Sequence, residues 1–113
     1  MTAKNILLVA PPYAVDQALK RLGANLRTAR LRRNLTIERV AEKIGTGPRP
    51  VSDAEKGKPS TSAAVYIALL WAYDLLDQMG DVADPESDKQ GLALSLGQER
   101  TRAREKKGLD NEF

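Results

Sequence analysis

The sequence of 113 residues contains no cysteine and no histidine, and only one phenylalanine and one tryptophan. Without cysteine, this chain forms no disulfide and performs no thiol chemistry. Without histidine it has no imidazole for acid–base catalysis, and the two absences together exclude the Cys and His ligand sets of zinc sites. No nucleophile–base pair can be assembled either, so we expect a protein that is not an enzyme and holds no cofactor or metal.

Long hydrophobic runs are also missing from the chain. No stretch approaches the roughly 20 uncharged apolar residues that a membrane-spanning helix requires. The N-terminal sequence ILLVAPP lacks the length and the positively charged flank of a secretory signal. We therefore expect a cytoplasmic protein, and 113 residues suit one small domain with tails.

Residues 36–57, TIERVAEKIGTGPRPVSDAEKG, have the pattern of two short helices joined by a tight turn. Thr36 is a suitable N-cap for the first helix, and Gly45 is placed to end it in a left-handed conformation. Pro48 lacks an N–H group and therefore suits the first position of the second helix, which Gly57 closes. This pattern predicts a helix-turn-helix, whose second helix enters the major groove of DNA. The apolar positions at helical spacing are Ile37, Val40, Ala41, Ile44, Val51 and Ala54.

Charge is unevenly distributed along the chain. Residues 16–62 hold eleven Lys or Arg against five Asp or Glu, a net charge of +6. Residues 63–97 hold one Lys against six Asp or Glu, a net charge of −5. The basic half contains the two-helix motif, and a basic surface beside a groove-reading helix is typical of nucleic-acid binding. Charge alone also fits an ordinary solvated surface, and it is the motif that favours DNA.

Two longer helices are predicted on either side of the motif. Residues 14–33 place apolar side chains at helical spacing, and Gly23 weakens this helix by about 1 kcal/mol relative to Ala. Residues 63–79, AAVYIALLWAYDLLDQM, are apolar nearly all round, which predicts a helix buried on more than one side. The apolar stripe of the first helix consists of Val15, Ala18, Leu19, Leu22, Leu26 and Ala29.

A small domain cannot bury every apolar side chain of the helix over residues 63–79. One face, which includes Val65, Leu69 and Ala72, is expected to cover the two-helix motif. The other face predicts a homodimer, because large exposed apolar patches usually mark interfaces. Alternatively, a long N-terminal helix covers this second face within one chain. The side chains assigned to the dimer interface are Tyr66, Leu70, Trp71, Tyr73 and Leu76.

Arg30 and Glu55 are predicted to form an ion pair. Arg30 lies near the end of the first long helix, on a side that points inward in a three-helix arrangement, and Glu55 closes the second helix of the motif. Such a pair would lock these two helices together. Removing one partner of a buried ion pair strands a charge and costs about 3–5 kcal/mol.

The domain itself is expected to span residues 14–80. Residues 1–13 form an N-terminal arm, in which residues 5–10 either make a short strand that pairs with a partner or stay flexible. Residues 81–113 form an acidic linker and a mostly disordered basic tail, since residues 98–113 lack apolar side chains that could bury a core. Phe113 is a candidate anchor for a protein partner. The basic cluster of the tail, an alternative contact to DNA, consists of Arg100, Arg102, Arg104, Lys106 and Lys107.

The sequence LRTARLRRNLTIERVAEKIG, followed by VSDAEKGKPSTS, resembles the XRE/Cro family of phage-repressor-like DNA-binding domains. The resemblance runs without a gap from about Leu22 to Met79. It implies an all-α, lambda-repressor-like helical DNA-binding domain of four to five helices. The two-fold symmetry of the expected homodimer would place two such domains one DNA turn apart on a palindromic operator. The specific features of the resemblance are Leu-Arg-x-x-Arg at residues 26–30, Leu35-Thr36, Val40-Ala41 and Ala-Glu-Lys-Gly at residues 54–57.

The base-contacting positions of that family fall on Pro48, Arg49 and Asp53, with Ser52 nearby. Family members usually carry Ser, Thr or Gln at the start of this helix, so the prolines here imply fewer amide-to-adenine contacts. Arg49 is the expected reader, because a guanidinium can hold O6 and N7 of guanine together, which discriminates by about 1–3 kcal/mol. Pro48 and Pro50 suit contact with a thymine methyl, and Asp53 either accepts from cytosine, orients Arg49 or repels wrong registers. The residues expected at phosphates are Thr36 with the N–H groups of its helix, Lys56, Lys58, Arg27, Arg32 and Arg33.

Within this family the layout resembles HipB-type antitoxins, small dimeric repressors that bind operator DNA and hold HipA-like protein-kinase toxins inactive. The similarity is in a small domain with almost no sensor region, in the segment WAYDLLDQMGDVADP and in the aromatic residue at the end of the tail. It implies a repressor of its own operon that also neutralises a HipA-like kinase toxin. The alternative is a stand-alone prophage or restriction–modification type regulator without a toxin partner.

Overall fold

The computed structural model describes residues 5–111, with side chains for residues 5–108, and every regular element in that part of the chain is helical. The predicted all-α fold class is thereby confirmed. The described residues divide into two units between Asp77 and Gln78. No helix among them combines the length and the apolar character needed to cross a membrane. The elements are α1 (Ile6–Val9), α2 (Tyr13–Arg32), α3 (Ile37–Ile44), α4 (Pro48–Glu55), α5 (Ala63–Ala72), a 3-10 turn (Leu76–Asp81) and α6 (Lys89–Asn111).

Helices α2 to α5 all end in the same way, on one residue in the left-handed conformation. These residues are Asn34 at φ 53°, Gly45 at φ 83°, Gly57 at φ 69° and Asp74 at φ 59°. After each of them, the next N–H group donates to the carbonyl five positions back, which is the closure of a Schellman motif. Each helix is therefore stopped by local backbone chemistry. The closing bonds run from Leu35 to Arg30 at 3.3 Å, Thr46 to Ala41 at 2.9 Å, Lys58 to Asp53 at 3.1 Å and Leu75 to Leu70 at 2.8 Å.

Side-chain caps begin the helices on either side of α4. The predicted cap of α3 is confirmed, since Oγ1 of Thr36 accepts a hydrogen bond from the N–H of Arg39 at 3.1 Å. Ser62 caps α5 in the same way, with its Oγ accepting from the N–H of Val65. Each cap satisfies one of the N–H groups that a helix start leaves without a partner.

The core of the first unit lies where α2, α3, α4 and α5 meet. α3 packs on α4 and α5, and α4 also packs on α2 and α5. Burial of each large apolar side chain in such a core stabilises the fold by about 1.5–3 kcal/mol. Buried alanines on α2, α3 and α4 leave little side-chain bulk between these helices. The largest fully buried side chains are Leu26, Val40, Val51, Leu69 and Tyr73.

The apolar stripe of α2 is buried only near its end. Leu26 and Ala29 are buried, whereas Val15 and Ala18 are exposed. The reason is length, because α2 has 20 residues and packs on α4, which has only 8. The first turns of α2 extend past the core, so the apolar face predicted for this helix is only partly buried.

The predicted dimer interface requires a correction. Tyr66, Leu70 and Tyr73 are buried inside this chain and cannot face a second copy. The physical reason is that α5 packs against both α3 and α4, so that two of its sides are covered within one chain. Trp71 and Leu76 remain exposed, at 53% and 38%.

Helix α5 also ends at Ala72 rather than continuing to residue 79. Asp74 adopts the left-handed conformation, and its short side chain makes that conformation accessible outside glycine. Sequence pattern alone does not signal this stop, because apolar residues continue beyond it.

The arm and the tail differ from their predictions as well. Residues 6–9 form one helical turn rather than a strand, started by Asn5, whose Oδ1 accepts from the N–H of Leu7 at 3.1 Å. A lone strand needs a partner for its backbone, whereas a helical turn uses its own carbonyls. Residues 89–111 form α6 rather than a disordered tail. Asp88 caps this helix, since its Oδ1 accepts from the N–H of Gly91. Most residues of α6 are strong helix formers, namely Ala, Leu, Gln, Glu, Arg and Lys. Phe113 lies outside the described residues.

Candidate nucleic-acid interface

A shallow groove of about 460 Å³ lies between the start of α3 and the exposed side of α4. All of its lining residues apart from Ile37 and Glu38 are predicted DNA contacts. The fold therefore brings together side chains from two helices and from the turn after α4. The lining residues are Ile37, Glu38, Pro48, Arg49, Ser52, Asp53, Lys56 and Lys58.

The start of α4 is built around two prolines. Gly47 is its N-cap residue and makes no side-chain cap, while Pro48 and Pro50 lie in the first turn. A helix start normally leaves four N–H groups without a partner, and the prolines remove two of them. Only Gly47 and Arg49 retain an N–H group there, so this helix start needs little capping and offers little to a phosphate. Any contact that the start of α4 makes with a nucleic acid must therefore rely on its side chains.

Arg49 keeps a helical backbone and an exposed side chain within this groove. Asp53, one turn later, does not orient it by an ion pair. The carboxylate instead binds Lys58, with Nζ lying 3.1 Å from Oδ1. The charge of Lys58 is thus partly neutralised. The side chains of Lys58 and Asp53 are 45% and 22% exposed. Among the described side chains, Arg49 and Lys56 are the groove cations that form no ion pair.

Arg30 and Glu55 form a buried ion pair behind the groove. Nε of Arg30 donates to Oε2 of Glu55 at 2.7 Å, and Nη2 donates to Oε1 at 3.0 Å. The third nitrogen, Nη1, donates to the carbonyl of Leu35 at 2.9 Å. The two side chains are only 9% and 6% exposed. One guanidinium therefore fixes the end of α4 and the entry to α3 relative to α2.

Glu55 and burial shift the pKa of two residues in and beside this ion pair, Arg30 and Tyr73. The hydrogen bond to the Glu55 carboxylate raises the pKa of Arg30 above its usual value. Burial raises the pKa of Tyr73 to about 12, with the Glu55 charge adding to this effect. The Tyr73 hydroxyl is buried without a hydrogen-bond partner among the described residues. By contrast, the Tyr66 hydroxyl donates to the carbonyl of Lys58 at 3.2 Å.

Two glycines set how closely α2 approaches the end of α4. A Cβ on Gly23 would lie 2.5 Å from the carbonyl oxygen of Ala54 and 2.6 Å from that of Glu55. A Cβ on Gly57 would lie 2.6 Å from the carbonyl oxygen of Leu19. All three distances are far below van der Waals contact, so backbone touches backbone at both glycines. Gly23 is therefore a packing requirement and not merely a weak point of α2.

Arg33 and Lys43 have structural roles at the end of α5. Nη2 of Arg33 donates to the carbonyl of Tyr73 at 2.7 Å, and its guanidinium lies 5.6 Å from the centre of the Tyr73 ring. Nζ of Lys43 donates to the carbonyl of Ala72 at 3.3 Å. Cations at a helix C-terminus satisfy its free carbonyls and complement its dipole. Arg33, a predicted phosphate contact, thus also holds the end of α5.

A family model described as a helix-turn-helix domain matches residues 21–81, more than half of the chain. The chain belongs to the helix-turn-helix domain family. No curated protein and no solved structure gave a match. In this helix-turn-helix domain, α3 and α4 are the two helices of the motif, and the fold is that of a lambda-repressor-like DNA-binding domain. The family match supports the XRE-like resemblance and indicates a DNA-binding regulator of transcription.

The remaining predicted contacts of this helix-turn-helix domain do not line the groove. Thr36 adjoins it as the cap of α3, Pro50 lies within the first turn of α4, and Arg27 and Arg32 are exposed on α2. Sequence reasoning missed Glu38, which adds a carboxylate to the groove. The spacing between Thr36 and Pro48 contains no signal for this, because only the crossing of α3 and α4 brings Glu38 and Arg49 to one surface.

Proposed function

We propose that this protein is a sequence-specific transcriptional repressor that binds a palindromic operator as a dimer. The observation that carries the proposal is Arg49, an exposed guanidinium on the motif's second helix, in a groove that also holds Lys56 and Lys58. A guanidinium can read O6 and N7 of guanine, while flanking lysines contact phosphates and carry no sequence information. α4 is the recognition helix in this proposal.

Two features make α4 suitable for reading bases through its side chains. Its prolines leave few N–H groups for phosphates, and the Arg30–Glu55 pair together with the Gly23 contact holds its far end rigidly. A rigid helix fixes the backbone position of Arg49, which limits the backbone entropy lost on binding. The phosphate contacts then come from the lysines after α4 and from the start of α3, with Thr36 as its cap.

Selection of duplexes from a random-sequence library tests the proposal. The wild type is expected to enrich a two-fold symmetric site whose halves lie about 34 Å apart, one turn of DNA. Arg49→Ala is expected to bind without enriching any sequence. Arg21→Ala serves as the control, because Arg21 lines a different surface, together with Ala14 and Gln17. If both variants enrich the wild-type site, Arg49 is not the reader.

The dimer in this proposal rests on a smaller surface than the sequence predicted. Ile67 and Trp71 on α5 are exposed at 41% and 53%, and Leu76 follows at 38%. Exposed large apolar side chains close together mark an interface more often than a solvent-facing surface. Two copies joined through this face would place two recognition helices on one operator.

We further propose that the repressor is the cytoplasmic antitoxin of its operon and neutralises a HipA-like kinase toxin. Support comes from the resemblance of the segment after α5, WAYDLLDQMGDVADP, to HipB-type antitoxins. Co-purification of the full chain from native cells tests this role. A kinase that elutes with the repressor and loses activity supports it, whereas a repressor that elutes alone while footprinting its own promoter indicates a stand-alone regulator.

A further inference from the structure

The second half of α6 is a strongly basic helical surface that the groove of the first unit does not use. Residues 100–107, RTRAREKK, hold five cations and one acid. All of these side chains are exposed. No side chain larger than Ala103 is apolar between residues 97 and 108, so this surface lacks the apolar centre of a protein–protein interface.

The cations divide into two faces when they are placed on a helix of 3.6 residues per turn. Arg100, Arg104 and Lys107 follow i, i+4, i+7 spacing and share one side of α6. Arg102 and Lys106 lie on the other side, where Glu99 is three positions before Arg102. Within the part of the chain that the structure describes, no ion pair involves any of these cations. The face with three cations contains no acid.

We propose that Arg100, Arg104 and Lys107 form a stripe that contacts the phosphates of one DNA strand, away from the bases read by Arg49. The inference rests on the proposed function, since it needs DNA as the ligand. Seven residues of helix rise span about 10 Å, and one strand of DNA carries a charge per about 3.4 Å of axis. The stripe therefore matches about three phosphates in both length and charge.

DNA is favoured over an acidic protein as the occupant of this stripe. The helix-turn-helix of the same chain would bring DNA to α6, so that the stripe meets phosphates at a high effective concentration. A protein partner bound with comparable strength would need buried aromatic or aliphatic anchors, and residues 100–107 offer none. Phosphates need only cations, which this face supplies.

A matched pair of double variants tests the stripe in the full chain. Arg100→Gln with Arg104→Gln removes two cations at i, i+4 from the stripe, and Arg102→Gln with Lys106→Gln removes two at the same spacing from the other face. Gln keeps the helix propensity. Dissociation constants are measured by fluorescence anisotropy on an operator duplex and on a random duplex, over a range of salt concentrations. The slope of log K against log salt is expected to fall by about 1.8 per chain for the stripe variant and to stay near wild type for the other.

The control with Arg100→Lys and Arg104→Lys keeps both charges and is expected to restore the wild-type slope. Equal slope changes in both Gln variants would show diffuse electrostatics and would overturn the stripe. An unchanged slope in both Gln variants would also overturn it, and this is the result expected if the true partner is an acidic protein. The proposed function is tested by the wild type alone, and it fails if the wild type does not bind duplex DNA. If binding depends on Arg49 but the stripe variant leaves the salt slope unchanged, only this inference fails.

Discussion

Nε of Arg30 lies 2.7 Å from Oε2 of Glu55 and Nη2 lies 3.0 Å from Oε1, so that α2 holds the last residue of α4 by two hydrogen bonds. The pair is almost fully shielded from water. Groups in this position are stabilising only as a pair, because each one alone is a buried charge.

Glu55→Gln is expected to lower the free energy of unfolding by about 3–5 kcal/mol, since it leaves the Arg30 charge without a counter-ion. Urea denaturation measures the loss. Arg30→Met combined with Glu55→Leu is expected to regain most of it, because no buried charge remains.

The exposed pair formed by Asp16 and Lys20 on α2 is the control for this experiment. Its atoms lie 3.0 Å apart, a distance similar to the buried pair, but the Lys20 side chain is 59% exposed. Lys20→Met is expected to cost about 0.5 kcal/mol or less. A similar loss from Glu55→Gln would mean that burial does not strengthen the Arg30–Glu55 pair.

Gly23→Ala is expected to destabilise the domain although alanine favours helix. Propensity gains about 1 kcal/mol, whereas a Cβ at 2.5 Å from the Ala54 carbonyl oxygen forces backbone movement that costs about 1–3 kcal/mol or more. Thermal unfolding gives the net sign. The control is Gly47→Ala, where nothing lies within 4 Å of the added Cβ and a change within about 1 kcal/mol is expected. A stabilised Gly23→Ala would show that α2 and α4 separate freely.

Tyr73→Phe is expected to keep or raise stability at neutral pH, because the buried hydroxyl of Tyr73 has no hydrogen-bond partner among the described residues. Tyr66→Phe removes a bond to the Lys58 carbonyl and is expected to cost about 1 kcal/mol. Urea denaturation of both variants at pH 7 makes the comparison.

The raised pKa of Tyr73 in the folded state can be tested at alkaline pH. Its folded pKa of about 12 lies above the ordinary value of 10.0, so the folded state holds the phenolic proton more tightly than the unfolded state. The resulting stability is complete below about pH 10 and is lost as the pH rises towards 12. Tyr73→Phe should lose less stability than wild type over this window. Parallel curves for the two proteins would mean that Tyr73 titrates normally.

The ion pair between Asp53 and Lys58 changes what the two groove lysines are expected to do. Lys56→Ala removes the phosphate contact proposed for this lysine, so it should weaken operator and random duplexes alike and reduce the salt slope by about 0.9. Lys58→Ala also exposes the Asp53 carboxylate to DNA and should weaken binding more. Adding Asp53→Asn to Lys58→Ala is expected to recover part of the affinity in an anisotropy titration. If it recovers none, Asp53 does not face the DNA.

Trp71→Glu is expected to shift the protein from dimer to monomer, because it places a charge in the centre of the exposed face of α5. Sedimentation equilibrium at micromolar concentration measures the shift. Leu94→Glu on α6 is the control, since Leu94 is 61% exposed and lies outside the proposed interface. A wild type that sediments as a monomer at tens of micromolar contradicts the dimer directly.

Sequence alone determined the helices of the motif and the position of Arg49. Thr36 acts through its side chain on the N–H of Arg39, and Gly45, Pro48 and Gly57 act through their own backbone. These effects are local, so they are readable without a fold. Apolar spacing likewise identified Val40 and Val51 as core. The resemblance to a known family then predicted Arg49 as the residue that reads a base.

Tertiary structure decided what depends on residues far apart in the chain. The burial of Tyr66 and Tyr73, the use of Arg33 at the end of α5 and the need for glycine at position 23 all arise from how α2, α4 and α5 cross. Periodicity shows that a side chain lies on an apolar or a polar face, but it does not show which helix will cover that face. Arg33 and Arg49 are both predicted DNA contacts, but the packing of α5 engages Arg33 in a hydrogen bond to Tyr73, whereas Arg49 stays exposed in the groove without an ion pair.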